Sequence, residues 1–227
     1  MEKIAKALSR QNRYKLTDGT VVPSVTTILG VLNKPALLAW ANNLGLQGYK
    51  MGEYVDELAQ VGTCAHLMIT SMLQGQKPDL DDFSKAQIDK AENSVLSFLE
   101  WQRQNDFYII ETELQLVSEN LRYGGTIDCY CKLNNKFTIL DFKTGKAIYD
   151  EHILQVSAYK HLAEENGFKV EQVGILQIGR TEDEGFSESY LTETETHFKL
   201  FKSCLDIYNL QKLLKNNNNK NNRRKVI

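Results

Sequence analysis

The sequence predicts an α/β fold in which a mixed central sheet is flanked by helices and entered through an N-terminal helical elaboration. Two observations carry this. Apolar spacing is helical up to about residue 105 and changes to a period of two after residue 106. From there the chain reads as three strands, a helix, two strands and a helix, the order of helices packed on a mixed sheet. The 227 residues, 42% of them hydrophobic, suit one domain with a sizeable core. We expect a single domain over 1–214, with a hairpin and helical elaboration over 1–105 and an α/β core over 106–214, then a basic Asn-rich tail over 215–227.

Each element has a local reason. Asp18-Gly19 is a turn signal between Tyr14–Leu16 and Val21–Val22. Ser24, after Pro23, is the expected N-cap of a helix through Leu32. Pro35 opens a second helix carrying Leu37, Leu38, Trp40 and Leu44. A third begins near Thr63 and turns Leu67, Met68, Met72 and Leu73 inward. Asp81 or Asp82 caps a long helix to about Gln104, striped by Ile88, Val95, Leu96, Phe98 and Leu99. Strands are expected near 107–117, 122–133 and 136–143, a helix from Asp150 to about Asn166, strands near 171–179 and 186–191, and a last helix over about 195–214. From Lys215 to Lys225 only Asn, Lys and Arg occur, with nothing apolar to bury, so this tail reads as disordered.

Composition excludes several classes. No run of eighteen apolar residues is present, so no membrane span is expected. The first residues carry no apolar stretch of the secretory kind. Cys64, Cys129, Cys131 and Cys204 lack CxxC spacing, which argues against structural zinc or a disulfide framework and for a reducing compartment. The net charge of −2 hides an asymmetry: residues 1–50 sum to +5, residues 51–210 to −13 and residues 211–227 to +6. Basic ends can meet phosphates while an acidic middle can hold a cation; an ordinary solvated surface is the alternative.

The chemistry concentrates in the hairpin from Gly125 to Gly145. A turn at Asn134-Asn135, residues that tolerate left-handed backbone, sets Asp128 opposite Asp141 and Thr126 opposite Lys143. Asp128, Asp141 and Lys143 then project from one side, with Ile127, Cys129, Cys131, Leu140 and Phe142 on a core face. Opposed carboxylates repel unless positive charge lies between them, and hard oxygen ligands suit Mg²⁺ or Mn²⁺. An exposed Asp–Lys–Asp network is the alternative. Glu113 can reach the same side, Gly124-Gly125 would admit another backbone, and Gln155 and Tyr159, at i and i+4, share a helix face.

Asp128, Asp141-Phe142-Lys143 and Gln155-Val-Ser-Ala-Tyr159 resemble the motifs of the PD-(D/E)xK nuclease superfamily in its RecB-like branch. Gly62-Thr63-Cys64-Ala65-His66 is similar to that branch's Gly-x-x-x-His. Further upstream, Val22 to Leu29, Leu38-Ala-Trp40 and Gly62-Thr63 resemble the mitochondrial genome maintenance exonuclease and its bacterial and phage relatives. The resemblance implies a restriction-endonuclease-like core and metal-dependent hydrolysis of DNA phosphodiesters, most simply from single-stranded or free ends, in recombination, repair or phage replication. It implies Mg²⁺ or Mn²⁺ held by His66, Asp128, Asp141 and the Phe142 carbonyl. Lys143 would orient or deprotonate water, while Gln155 and Tyr159 position the strand. Ser24, Thr26, Thr63 and Thr126 are candidate DNA contacts, and Trp40, Tyr49 and Tyr54 could stack on bases. Neither a transit peptide nor the cysteine arrangement of the iron–sulfur members is evident, so no cluster is expected, and a cytoplasmic, non-secreted protein of a bacterial or virus-infected cell is. A structure-selective endonuclease and a catalytically silent nucleic-acid-binding subunit are the other readings. His152, His161 and His197 lack obvious partners and read as surface residues.

Overall fold

The computed structural model describes residues 14–224. Before the sheet come α1 (Val25–Leu29), α2 (Pro35–Leu46), α3 (Met51–Leu73) and α4 (Lys85–Gln104). Strands β1 (Phe107–Ser118), β2 (Tyr123–Leu133) and β3 (Lys136–Lys143) follow, then α5 (Asp150–Glu165), β4 (Gln172–Ile178), β5 (Phe186–Leu191) and α6 (Glu195–Arg224). The five strands form one sheet in chain order. Neighbours are antiparallel except β3 and β4, which are parallel because α5 carries the chain back across the sheet. This is the expected α/β architecture, a mixed central sheet flanked by helices.

Both faces of the sheet are covered. On one, α1, α5 and α6 bury Val25, Ile28, Ile127, Ile139, Leu154 and Phe201 together. On the other, α3 and α4 bury Ile69, Phe98 and Trp101 against Cys129, Leu140 and Phe142. The face carrying Asp141, expected to oppose a core, is therefore itself core, and Asp141 is only 1% exposed. Among the described residues no helix is long and apolar enough to cross a membrane.

Several expectations are corrected. The helix capped by Ser24 ends at Leu29 rather than Leu32. On α2 only Leu44 is buried, while Leu37 and Leu38 are exposed, because the helix leans on α3 through Trp40 and Tyr54 rather than on the sheet. α3 starts at Met51, not near Thr63. Gly52 and Gly62 interrupt the pattern there, but a helical glycine costs only about 1 kcal/mol relative to alanine, and buried Val61 anchors that stretch. A Cβ on Gly62 would lie 2.7 Å from Thr144 Oγ1, so this glycine lets the turn after β3 dock on α3.

The cap of α4 is Ser84, not Asp81 or Asp82. Its Oγ accepts from Gln87 N–H at 3.3 Å, and Gln87 Oε1 accepts from Ser84 N–H at 2.9 Å, a capping box. Asp79 instead holds a turn by accepting from Asp81 N–H. Leu96, expected on the buried stripe, is exposed, and Ala91, Ser94, Phe98 and Trp101 form the buried face. Finally, α6 continues to Arg224, past the expected end at 214 and through most of the stretch expected to be disordered; no proline or glycine interrupts it. The start of the 1–105 elaboration and the last residues of the tail lie outside the described residues.

The hairpin register is as expected from the turn: Leu133 pairs with Lys136 and Cys129 with Leu140, and Asn134 and Asn135 both have positive φ. The ladder stops there, one step before Asp128 and Asp141 would pair, and Thr126 does not pair with Lys143. In its place the Phe142 N–H donates to Asp128 Oδ2 at 2.7 Å. The second difference is on β1, where Glu113 has φ +50° between the pairs Thr112–Cys129 and Leu114–Ile127. That left-handed residue breaks the alternation. Cys129 packs on the α3/α4 side but Ile127 on the α5 side, so Ile127 does not share the face of Cys129, Cys131, Leu140 and Phe142.

Candidate active site

Asp141 and Lys143, two apart at the end of β3, face α5. Asp141 Oδ1 accepts from Gln155 Nε2 at 3.1 Å, and the same amide lies 2.8 Å from the Tyr159 hydroxyl. Asp141 Oδ2 is 2.5 Å from Lys143 Nζ. The ammonium is thus the partner of that buried oxygen. Burial pushes the Asp141 carboxyl up, more than the Lys143 charge pulls it down. Burial works to lower Lys143, but Asp141 and Asp128 outweigh it and its pKa is raised. Both nearby carboxylates favour the charged form of Lys143, so the chain by itself keeps it a cation. Tyr159 is raised well above the ordinary phenol range by burial and by Asp141 and Asp128, so it stays a neutral hydroxyl.

From the other side α3 brings His66, whose Nδ1 is 3.6 Å from Asp128 Oδ2. His66, Glu113 and Asp128 offer ligand atoms all within 4.8 Å of one another. Thr70 Oγ1 donates to Glu113 Oε1 at 3.4 Å. The left-handed backbone at Glu113 is what turns this side chain toward α3. An imidazole with two carboxylates, beside the Asp141–Lys143 pair, is a donor set that fits a hard divalent cation. The geometry thus groups His66, Asp128 and Glu113 most closely, with Asp141 engaged by Lys143 and Gln155. Phe142 contributes its N–H to Asp128, and its ring meets the His66 ring edge-on at 6.0 Å.

The remaining candidates divide. Thr126 Oγ1 is 2.9 Å from the Tyr14 hydroxyl. Burial raises the Tyr14 phenol, the Thr126 hydrogen bond partly lowers it, and Glu113 and Asp128 add to the rise. Ser24 bridges to Gly124, but its Oγ is engaged in its own helix start, accepting from Thr27 N–H and bonded to the Thr26 and Thr27 hydroxyls. The exposed Thr63 hydroxyl donates back to Ala59 C=O in α3. Tyr54 packs edge-on against both Trp40 and Tyr49, away from the carboxylates' own contacts. Gly124 meets another backbone as expected, its N–H donating to Pro23 C=O at 3.0 Å, and both glycines also admit tyrosine rings: a Cβ would come within 2.4 Å of Tyr14 on Gly124 and 2.5 Å of Tyr159 on Gly125.

Sequence reasoning missed Tyr14, His152 and Gln177. The adjacent glycines were the signal for Tyr14. Gln177, opposite Lys143 in the parallel ladder, donates to the Gly145 carbonyl and to Glu184 C=O, pinning the turn behind Lys143. The other two histidines are not free surface groups either. His161 stacks on Phe198 at 4.3 Å and lies 3.1 Å from the Tyr123 hydroxyl, and His197 Nδ1 is buried. All four cysteines are free and buried.

No family model matches the sequence, and no curated protein matches it. Among solved structures, a candidate exonuclease from Eubacterium rectale is similar at a TM-score of 0.48 and 14% identity, over 70% of this chain and 66% of that one. This chain therefore spans just under two thirds of that neighbour. The alkaline exonuclease LHK-Exo from Laribacter hongkongensis is similar at a TM-score of 0.46 and 9% identity, over 75% of this chain and 92% of that one. The same enzyme in complex with dAMP matches at 0.44 and 10% identity, over 75% and 92%. With scores and identities this low, function rests on the chemistry of the site itself.

Proposed function

We propose that the chain is a divalent-metal-dependent deoxyribonuclease, an exonuclease acting on single-stranded or free-ended DNA in recombination, repair or phage replication. What supports the reading is one observation: a buried Asp141–Lys143 pair held by Gln155 lies beside a cluster of His66, Glu113 and Asp128. A buried ion pair is costly to desolvate, and a phosphate-binding module without a cation gains nothing from further carboxylates at its centre.

His66, Asp128 and Asp141, with Glu113, would hold Mg²⁺ or Mn²⁺, which supplies Lewis-acid polarisation of the phosphate ester and lowers the pKa of water. Lys143, a cation in this setting, offsets the charge that grows on the phosphoryl oxygens in the transition state. Gln155 fixes the Asp141 carboxylate, and the buried Tyr159 hydroxyl accepts from the Gln155 amide, so the two position the carboxylate that meets the strand. Whether Lys143 also accepts a proton is a hypothesis that the pH–rate profile of Lys143→Arg tests: an unchanged alkaline limb argues against it.

The deciding assay offers linear and circular single-stranded DNA and duplex DNA with Mg²⁺ or Mn²⁺, alongside Lys143→Ala. Degradation of linear single strands only, abolished by EDTA and by the substitution, is expected. Cutting of circles indicates an endonuclease. Binding without metal-dependent cleavage of any substrate indicates a silent subunit and ends the proposal.

A further inference from the structure

His152 lies three residues before Gln155 and seven before Tyr159, so the three share one face of α5. That is the face Asp141 meets. The imidazole is half-buried, and Lys143 and Asp141 are among the charges acting on it, with Glu151 and Lys34 at the rim, themselves paired at 2.7 Å. Its Nδ1 is committed to the helix start: Tyr149 N–H donates to it at 3.2 Å, while His152 N–H donates to Tyr149 C=O at 2.9 Å. The Tyr149 ring, edge-on at 5.4 Å, fixes the plane.

A ring nitrogen that accepts an N–H carries no proton, so the single proton of the neutral ring sits on Nε2. Burial and the Lys143 charge lower the pKa of His152 to about 4, which keeps the ring neutral at physiological pH. Nε2 donates to no group among the described residues. An uncharged N–H donor of fixed direction, on the Gln155/Tyr159 face and under the influence of the Lys143 ammonium, matches an anion that one cation only partly neutralises.

We propose that His152 is a further substrate contact of this site, its Nε2–H donating to a non-bridging oxygen of the nucleic-acid phosphodiester that Lys143 also meets. The inference rests on the nuclease reading above. A cap alone would need only Nδ1, so the two roles use different atoms and can be separated.

The test compares the full-length wild type with His152→Gln and His152→Asn in kcat/KM on a linear single-stranded oligonucleotide with Mn²⁺, and in thermal unfolding. A Gln amide nitrogen reaches the Nε2 position but gives up the cap. An Asn carboxamide oxygen keeps the Tyr149 bond but leaves no donor at Nε2. A hydrogen bond to a charged group gives an expected loss of roughly tenfold or more for Asn, with Gln within about threefold of wild type. Wild-type activity in Asn, or equal losses in the two variants, overturns the proposal while leaving the nuclease reading intact. Absence of metal-dependent cleavage by the wild type overturns both.

Discussion

Glu113 holds its place at the site through an unfavourable backbone. At φ +50° a residue with a Cβ costs about 1–2 kcal/mol, and glutamate has no local compensation for it. The strain is what aims its carboxylate at His66 and Asp128 and reverses the facing of the strand. Glu113→Gly is therefore expected to leave stability unchanged or raise it by up to about 1 kcal/mol, since glycine's added freedom in the unfolded chain offsets part of the relief. Activity should fall at least about tenfold. Urea unfolding with the nuclease assay checks both; a loss of stability beyond about 1 kcal/mol would show that the backbone there is not strained. Asp128, Asp141, Lys143, Gln155 and Tyr159 were legible as site candidates from residue type and spacing. Glu113 was legible as able to reach the side of Asp128; that it would group with His66 and Asp128 more closely than Asp141 does was not, because no side-chain pattern announces a glutamate in left-handed backbone.

Among elements, strands were easiest to read, since alternation and the Asn134-Asn135 turn fix both bounds and register. Helices facing other helices were harder. The helix expected from near Thr63 starts at Met51, and the first charged residues before α4 looked like its cap. The pair Gly124-Gly125 illustrates how β2 joins the elements around it. Consecutive strand residues face opposite ways, so Gly124 receives Tyr14 from the N-terminal segment and Gly125 receives Tyr159 from α5. Gly125→Ala would drive a Cβ to 2.5 Å from the Tyr159 ring. We expect a cost of roughly 1–3 kcal/mol from overpacking and loss of the Gln155–Tyr159 contact, hence a lower urea midpoint and lower turnover. Gly124→Ala should cost a similar amount in stability, but by displacing Tyr14 from Thr126. A neutral result in either variant, read by denaturant unfolding, would mean the tyrosine has room to retreat.

At the scale of the whole molecule, stability couples to pH through histidines that the fold keeps neutral. Burial, then Lys143, lowers His152 from 6.5 to about 4, and burial lowers His161 as well. In the unfolded chain both take up a proton near the ordinary value, so below it the unfolded state binds more protons than the folded one. Stability is then fully present above about pH 6.5, falls as the pH drops below it, and stops falling from this cause once the folded His152 titrates near 4. Glu184, which burial would raise but the Arg180 bonds lower on balance, acts in the same direction at still lower pH. Asp141 opposes them, because its raised pKa lets the folded state take up a proton that the unfolded chain takes up only at lower pH. Two histidines against one carboxylate should leave a net loss. Urea midpoints of the wild type at about pH 7.5 and about pH 5 should therefore fall, and His152→Gln, which cannot titrate, should show a shallower fall over the same interval. Equal slopes in the two proteins would mean that His152 keeps its ordinary pKa and that the imidazole does not sit in the half-buried, cation-flanked position on α5.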